Sequence, residues 1–156
     1  MAKRSAKAPT SSADAAGLRY IESSALVAAL LEPDLDALKS VRSRGRTVTS
    51  ALTIAEAGRA ILRARAAGRL TPEEERAAVR ALRRFERRSF MVAVTDAVLA
   101  RARRPFPIEP IRTLDAVHLA TMELLGEPPP LVVVVTRDVR VRENAQALGY
   151  AVEGAR

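Results

Sequence analysis

At 156 residues the chain fits one domain able to bury its own core, and its 48% apolar content comes from Ala, Leu and Val with only 3% aromatics. That excludes a module built on stacked aromatic rings, while the absence of cysteine excludes disulfides, thiolate metal sites and a cysteine nucleophile and fits a reducing, cytoplasmic setting. The net charge of +8 makes polyanions natural partners, although an Arg-rich solvated surface explains it equally well, and the longest apolar run, Leu131 to Val135, is far short of the roughly 20 residues that span a membrane.

Residues 1–17 are basic and rich in small residues but lack the apolar stretch of a secretory signal, so they read as a flexible leader to a domain over 18–156. Leu18 to Ile21 is β-prone, and Ser23 or Ser24 can cap a helix over Ala25 to Leu31. Pro33 opens a second helix, Asp34 to Arg44, ended by Gly45. Thr47 to Thr49 is a β-branched second strand, and Ser50 caps a helix that Gly68 stops. Thr71-Pro72-Glu73-Glu74 combines a capping box with an early proline. The helix it starts places Ala78, Leu82 and Phe85 on one face. Arg76, Arg80, Arg83 and Arg87 lie opposite, as a solvated face in preference to a phosphate-binding stripe.

Phe90 to Val94 reads as a third strand, with Thr95 or Asp96 capping the next helix. Pro105, Pro107 and Pro110 stiffen the loop before a helix over Ile111 to Leu125. Leu131 to Val135 is an unbroken aliphatic run, as a strand buried on both faces requires, and is expected at the centre of the sheet. A last helix over Asp138 to Leu148 and a short edge strand at Tyr150 to Val152 complete the chain. Alternating strands and helices define the α/β class: a three-layer α/β/α sandwich around a mainly parallel sheet of four or five strands.

In such folds sites form beyond the carboxyl ends of the strands. Glu22 ends the first strand and Asp138 lies three residues past Val135. Glu56 lies in the helix after the second strand, and Asp115 in the first turns of the helix before the aliphatic strand. Carboxylates with one histidine and no cysteine suit a hard divalent cation such as Mg²⁺ or Mn²⁺. Each acid also has a structural explanation. Asp138 can cap its own helix, Asp115 can complement a helix N-terminus, and Glu56 can pair with Arg59 and Arg63. Glu22, between a buried strand and an apolar helix, needs a partner or a ligand. His118, three residues after Asp115, reads as a packed, hydrogen-bonded residue before a catalytic acid.

Three segments carry a family resemblance. Tyr20-Ile21-Glu22-Ser23-Ser24-Ala25-Leu26-Val27 resembles the opening of PIN domains. Thr113-Leu114-Asp115-Ala116-Val117-His118-Leu119-Ala120 resembles their "LDAxHLA" helix, and Val134-Val135-Thr136-Arg137-Asp138 with Ala145, Leu148 and Gly149 resembles their "VTxD…A…LG" ending. The nearest kin in this resemblance are VapC-type toxins of prokaryotic toxin-antitoxin pairs. It implies a Mg²⁺- or Mn²⁺-dependent endoribonuclease acting on RNA, a homodimer, and inhibition by a small antitoxin. It also implies an acidic cluster of Glu22, Glu56, Asp115 and Asp138, with Ser24 and Thr136 as hydroxyls that orient carboxylates or water. Asp115 and Asp138 would be ligands, Glu22 a bridging ligand or its imperfect substitute, and Glu56 an outer ligand or base.

The family's first acid is usually Asp. Glu22 moves the carboxylate by about one carbon-carbon bond, roughly 1.5 Å, a displacement to which positioned chemistry is sensitive. The competing expectation is a degenerate domain that binds RNA or protein without cutting. A phosphotransfer receiver is disfavoured because the lysines, Lys3, Lys7 and Lys39, follow no late strand. An antitoxin helix is expected on apolar surface between Leu26 to Leu38 and Ile54 to Leu62.

Overall fold

The computed structural model describes residues 17–154; the leader expected over 1–17 therefore falls, apart from Gly17, outside the described residues. The elements run β1 (Leu18–Ile21), α1 (Ser23–Leu31), α2 (Leu35–Arg42), β2 (Arg46–Ser50), α3 (Ala51–Ala66), α4 (Pro72–Arg88), β3 (Phe90–Val92), α5 (Asp96–Ala102), α6 (Thr113–Glu123), β4 (Val132–Val135), α7 (Val139–Ala147) and β5 (Ala151–Glu153). The five strands form one sheet in the order β3-β2-β1-β4-β5, and every pairing is parallel. Helices cover both faces, giving the three-layer α/β/α sandwich.

The local reasons are legible in the chain. Thr71 and Glu74 form the reciprocal capping box, with Pro72 in the first helical turn. Ser50 accepts from the Leu52 amide, and Thr95, not Asp96, caps α5. Gly68 takes the left-handed conformation (φ 68°) just after α3, as a helix stop requires. In α4, Ala78 and Leu82 are buried and Phe85 half-buried, while Arg76, Arg80, Arg83 and Arg87 are exposed. Helices end sooner than the apolar patterns do: α2 stops at Arg42 and α6 covers Thr113–Glu123. The third strand also closes at Val92, because only Phe90, Met91 and Val92 pair with β2.

The middle strand is β1, not the aliphatic run. The chain lays β2 and β3 on one side of β1 and then returns to lay β4 and β5 on the other. β4 is an interior strand, paired on both sides, with Val132, Val134 and Val135 buried and Val133 partly so. Leu131 belongs to the 3-10 turn Pro129–Leu131 that leads into it. The reversal of strand order between β1 and β4 opens a crevice at their carboxyl ends, where an open parallel sheet accepts ligands.

Two aliphatic cores flank the sheet. Tyr20, Val48, Leu119, Met122, Val132 and Val134 centre one. Ile21, Leu26, Ala57, Ile61, Leu82 and Val135 centre the other. Successive residues of β1, Tyr20 and Ile21, thus enter opposite cores, as the period of a strand demands.

Candidate active site

Glu22 follows directly on β1, and its amide donates to the Val135 carbonyl (3.0 Å), so the junction of strand and helix is tied to β4. The residue is 3% exposed. Ser23 Oγ donates to Oε1 at 2.6 Å, the Ser24 amide to Oε1 at 3.1 Å, and Thr136 Oγ1 to Oε2 at 2.7 Å; the Ser24 hydroxyl also donates to Oε2. Glu22 therefore caps α1 itself, in place of the expected Ser23 or Ser24. The buried acid is thus surrounded by donors on both of its oxygens.

Ser24 and Thr136 also organise the facing loop. Ser24 Oγ accepts from the amides of Arg137 (2.8 Å) and Asp138 (3.1 Å), and Thr136 Oγ1 accepts from the Asp138 amide (3.1 Å). Asp138 in turn caps α7, its Oδ1 accepting from the Arg140 and Val141 amides. The capping role and a position at the site thus coexist. Arg137 bonds to Glu32 Oε2 (3.3 Å) and Asp34 Oδ2, fastening the same loop to the α1–α2 turn.

Asp115 stands in the first turn of α6 with Oδ2 buried and without a hydrogen-bond partner. Its carboxyl is raised above the ordinary 3.8, first by burial and then by the negative charges of Asp138 and Glu22; Arg112 and His118 offset this only in part. Three acids from β1, α6 and the β4–α7 loop therefore share one electrostatic field.

Glu56, half-buried in α3, does not form the expected surface pair. Its Oε2 lies 2.8 Å from His118 Nε2, while Arg63 supplies only a weaker long-range attraction. Burial pushes the Glu56 carboxyl up, but the hydrogen bond and charge of His118, with Ser23 and Arg63, outweigh it and leave it lowered. His118 is itself 1% exposed, and its Nδ1 lies 2.9 Å from the Tyr20 hydroxyl, confirming the packed, hydrogen-bonded reading. Burial, then the charges of Glu22 and Glu56, drive the Tyr20 phenol well above its ordinary range despite the Thr121 and Ser50 hydroxyls, so it stays protonated.

The arrangement fits a divalent cation. Glu22 and Glu56 bring carboxylate oxygens within 4.8 Å of each other beside His118, whose ring nitrogens face Glu56 and Tyr20. Asp115 adds a buried oxygen with no donor, in a cluster of acids that raises its pKa, the condition a hard cation relieves. Ser23 and Tyr20 are the participants that residue-by-residue reading passed over. Ser23 donates to Glu22 instead of capping the helix, and a tyrosine buried in the middle strand carries a hydroxyl that must find a partner.

The apolar groove present in the structure shares α1 and α2 with the expected docking surface. A groove of about 1120 Å³ lies between α1–α2 and α4, lined by Leu26, Leu30, Leu38, Val41, Ala81 and Phe85 among others. α3 is not its wall, because Ala57 and Ile61 of α3 are buried against Leu26, Ala78 and Leu82. Arg42, Arg84 and Arg88 also line this groove.

Residues 19–147 match the PIN domain family, and the chain belongs to it. More particularly, its relatives are VapC-type ribonucleases. The chain is 40% identical over 137 residues to Ribonuclease VapC35 of Mycobacterium tuberculosis, covering 85% of this chain and 93% of that protein. It is 41% identical over 139 residues to Ribonuclease VapC46 of the same organism, covering 85% and 94%. The fold is shared with PAE2754 from Pyrobaculum aerophilum (TM-score 0.57, 22% identity, 88% of this chain and 83% of that one). It is shared also with VapBC-1 from nontypeable Haemophilus influenzae (TM-score 0.55, 13% identity, 87% and 96%).

Proposed function

We propose that this protein is a divalent-metal-dependent endoribonuclease and the toxin of a type II toxin-antitoxin pair. The observation that carries this reading is the buried, unpartnered Asp115 Oδ2 held in the field of Glu22 and Asp138 at the β1/β4 crevice. Membership of the PIN family, and relatives named ribonucleases at 40% and 41% identity, support the reaction class.

Glu22, Asp115 and Asp138 would hold Mg²⁺ or Mn²⁺, with Glu56 as an outer ligand or base and Ser24 and Thr136 as positioning hydroxyls. The cation would lower the pKa of a water and neutralise phosphate oxygens. The chain's own residues do the rest. Glu22 is immobilised by four donors, Asp138 is aimed by the amide bonds that set its loop, and Glu56 is kept ionised by His118 so that it can accept a proton. In this reading the side chains supply positions, not a covalent nucleophile.

Incubation of a structured RNA with Mn²⁺ tests the assignment. The wild type is expected to cut it and an Asp115→Asn, Asp138→Asn double variant to lose cleavage. Persistent cleavage by that variant overturns the site, and salt-sensitive binding without cleavage by the wild type favours a non-cutting RNA-binding domain.

The groove between α1–α2 and α4 suits the apolar face of an antitoxin helix, with Arg42, Arg84 and Arg88 favouring acidic flanks. The toxin role requires a small adjacent reading frame whose product suppresses growth arrest by this chain. A homodimer is part of the same reading, and sedimentation tests it. Among the described residues no helix is long and apolar enough to cross a membrane, and action on RNA places the protein in the cytoplasm in this reading.

A further inference from the structure

Resting on the assignment of Glu56 to the catalytic cluster, we infer that Tyr20 and His118 form a buried positioning relay that delivers a fixed Nε2–H to the Glu56 carboxylate. The relay spans three elements: the Tyr20 hydroxyl on the middle strand β1 lies 2.9 Å from His118 Nδ1 on α6, and His118 Nε2 lies 2.8 Å from Glu56 Oε2 on α3. Both ring nitrogens are thereby engaged, and the two partners are not equivalent. An ionised carboxylate only accepts, so the bond to Glu56 needs its hydrogen on Nε2. A neutral ring then has a bare Nδ1, which needs a donor, and the buried Tyr20 phenol is one. The phenol thus selects the tautomer, and the tautomer holds the carboxylate.

Burial makes the arrangement rigid. Tyr20 is 0% and His118 1% exposed, and their rings meet edge to face at 77° with centroids 6.2 Å apart. No solvent competes for the ring, so rotation of the imidazole would strand its own buried nitrogens and leave the buried Tyr20 hydroxyl without this partner. Glu56, by contrast, has a side chain 24% exposed and sits on a helix with its own freedom, so the imidazole is what keeps its carboxylate turned toward Glu22. His118 Nε2 lies 3.8 Å from Glu22 Oε1, which puts the end of the relay beside the other buried acid. His118 acts through Glu56 and is a positioning residue.

The chain contains one histidine, so imidazole ¹⁵N resonances report on His118 without assignment ambiguity. In metal-free wild-type protein with the ring neutral, the expected spectrum is protonated Nε2 and unprotonated Nδ1, and Tyr20→Phe is expected to release population to the other tautomer. A bare Nε2 in the wild type overturns the relay whatever the protein does to RNA. A second arm measures Mn²⁺-supported RNA cleavage. His118→Leu is expected to lower kcat about 10- to 100-fold, the usual effect of losing an orienting partner. His118→Gln, whose amide can still donate to Glu56, is expected to recover most of that loss. In a Glu56→Gln background His118→Leu is expected to cost nothing further, and an additive loss there, or failure of Gln to rescue, overturns the positioning role. Absence of cleavage by the wild type would count against the ribonuclease reading, with the tautomer still deciding the relay.

Discussion

Thr136 and Glu22, 114 residues apart in sequence, are joined by a 2.7 Å hydrogen bond from the threonine hydroxyl to Glu22 Oε2. The bond fixes the carboxyl end of β4 to that of β1 at the point where the strand order reverses. The same hydroxyl accepts from the Asp138 amide, so one side chain registers two acids against each other. Replacing Thr136 with valine keeps the shape and removes both functions. Thr136→Val is expected to lower stability by about 1–3 kcal/mol, the cost of an unsatisfied buried acceptor, which urea unfolding measures. Cleavage should fall with it as Asp138 loses its register.

Gly154 explains why the end of β5 matters to the site. It has φ 117°, and a Cβ placed there would lie 2.2 Å from the Thr136 carbonyl oxygen, while the preceding Glu153 carbonyl accepts from the Thr136 amide at 3.0 Å. No side chain fits without moving the backbone of Thr136. Gly154→Ala is expected to destabilise the domain by about 1–3 kcal/mol, and to reduce cleavage more than an equally destabilising change far from the crevice. Equal activity at equal stability would refute the coupling.

The Glu22 carboxylate accepts four hydrogen bonds from Ser23, Ser24 and Thr136. A carboxylate has about four lone-pair sites, so the protein competes with any cation for them. Glu22→Asp retracts the group by roughly 1.5 Å and should loosen this cage. The expected result is a loss of about 1–2 kcal/mol in stability together with tighter Mn²⁺ binding by calorimetry. Unchanged stability would show that the hydroxyls follow the shorter side chain.

The raised pKa of Asp115 has a stability consequence whose sign can be worked out. In the unfolded chain the group ionises near 3.8, whereas in the folded, metal-free protein it ionises higher. Between the two values the folded state holds the extra proton, so stability falls as pH rises through that window and stays lower at neutral pH. Asp115→Asn is expected to raise the neutral-pH melting temperature of metal-free protein and flatten this acid-side slope. Glu56, whose pKa is lowered, acts the other way, its contribution being lost as pH falls through the folded value. Mn²⁺ should raise the melting temperature of the wild type by mass action and leave the Asn variant unmoved. A variant less stable than the wild type in metal-free neutral buffer would refute the strain.

The class of fold and the identity of the acids were readable in the chain because they depend on local signals. β-branched and aliphatic runs, the Thr71 to Glu74 capping box and the stops at Gly68 and Gly149 set the alternation of strands and helices, and parallel pairing follows from that alternation. Asp115 and Asp138 could be nominated because strand ends and helix starts are local too. Which strand lies in the middle was not readable, since an aliphatic run records burial on two faces and says nothing of its neighbours in the sheet.

Partners were decided by the tertiary structure alone. Locally Glu56 faces Arg59 and Arg63 on its own helix, but the fold brings the His118 side chain of α6 to 2.8 Å from it. A buried imidazole is the stronger partner, because the low dielectric that makes an unpaired group costly also strengthens the pair. The groove that the structure shows runs along α4, with Ala57 and Ile61 of α3 buried in the core. Sequence determined which chemical groups are present and in which elements they sit. Only the fold, through the reversal of strand order between β1 and β4, decided which of them meet, because contacts such as Glu22–Thr136 and Glu56–His118 cross separations that no helical or strand period encodes.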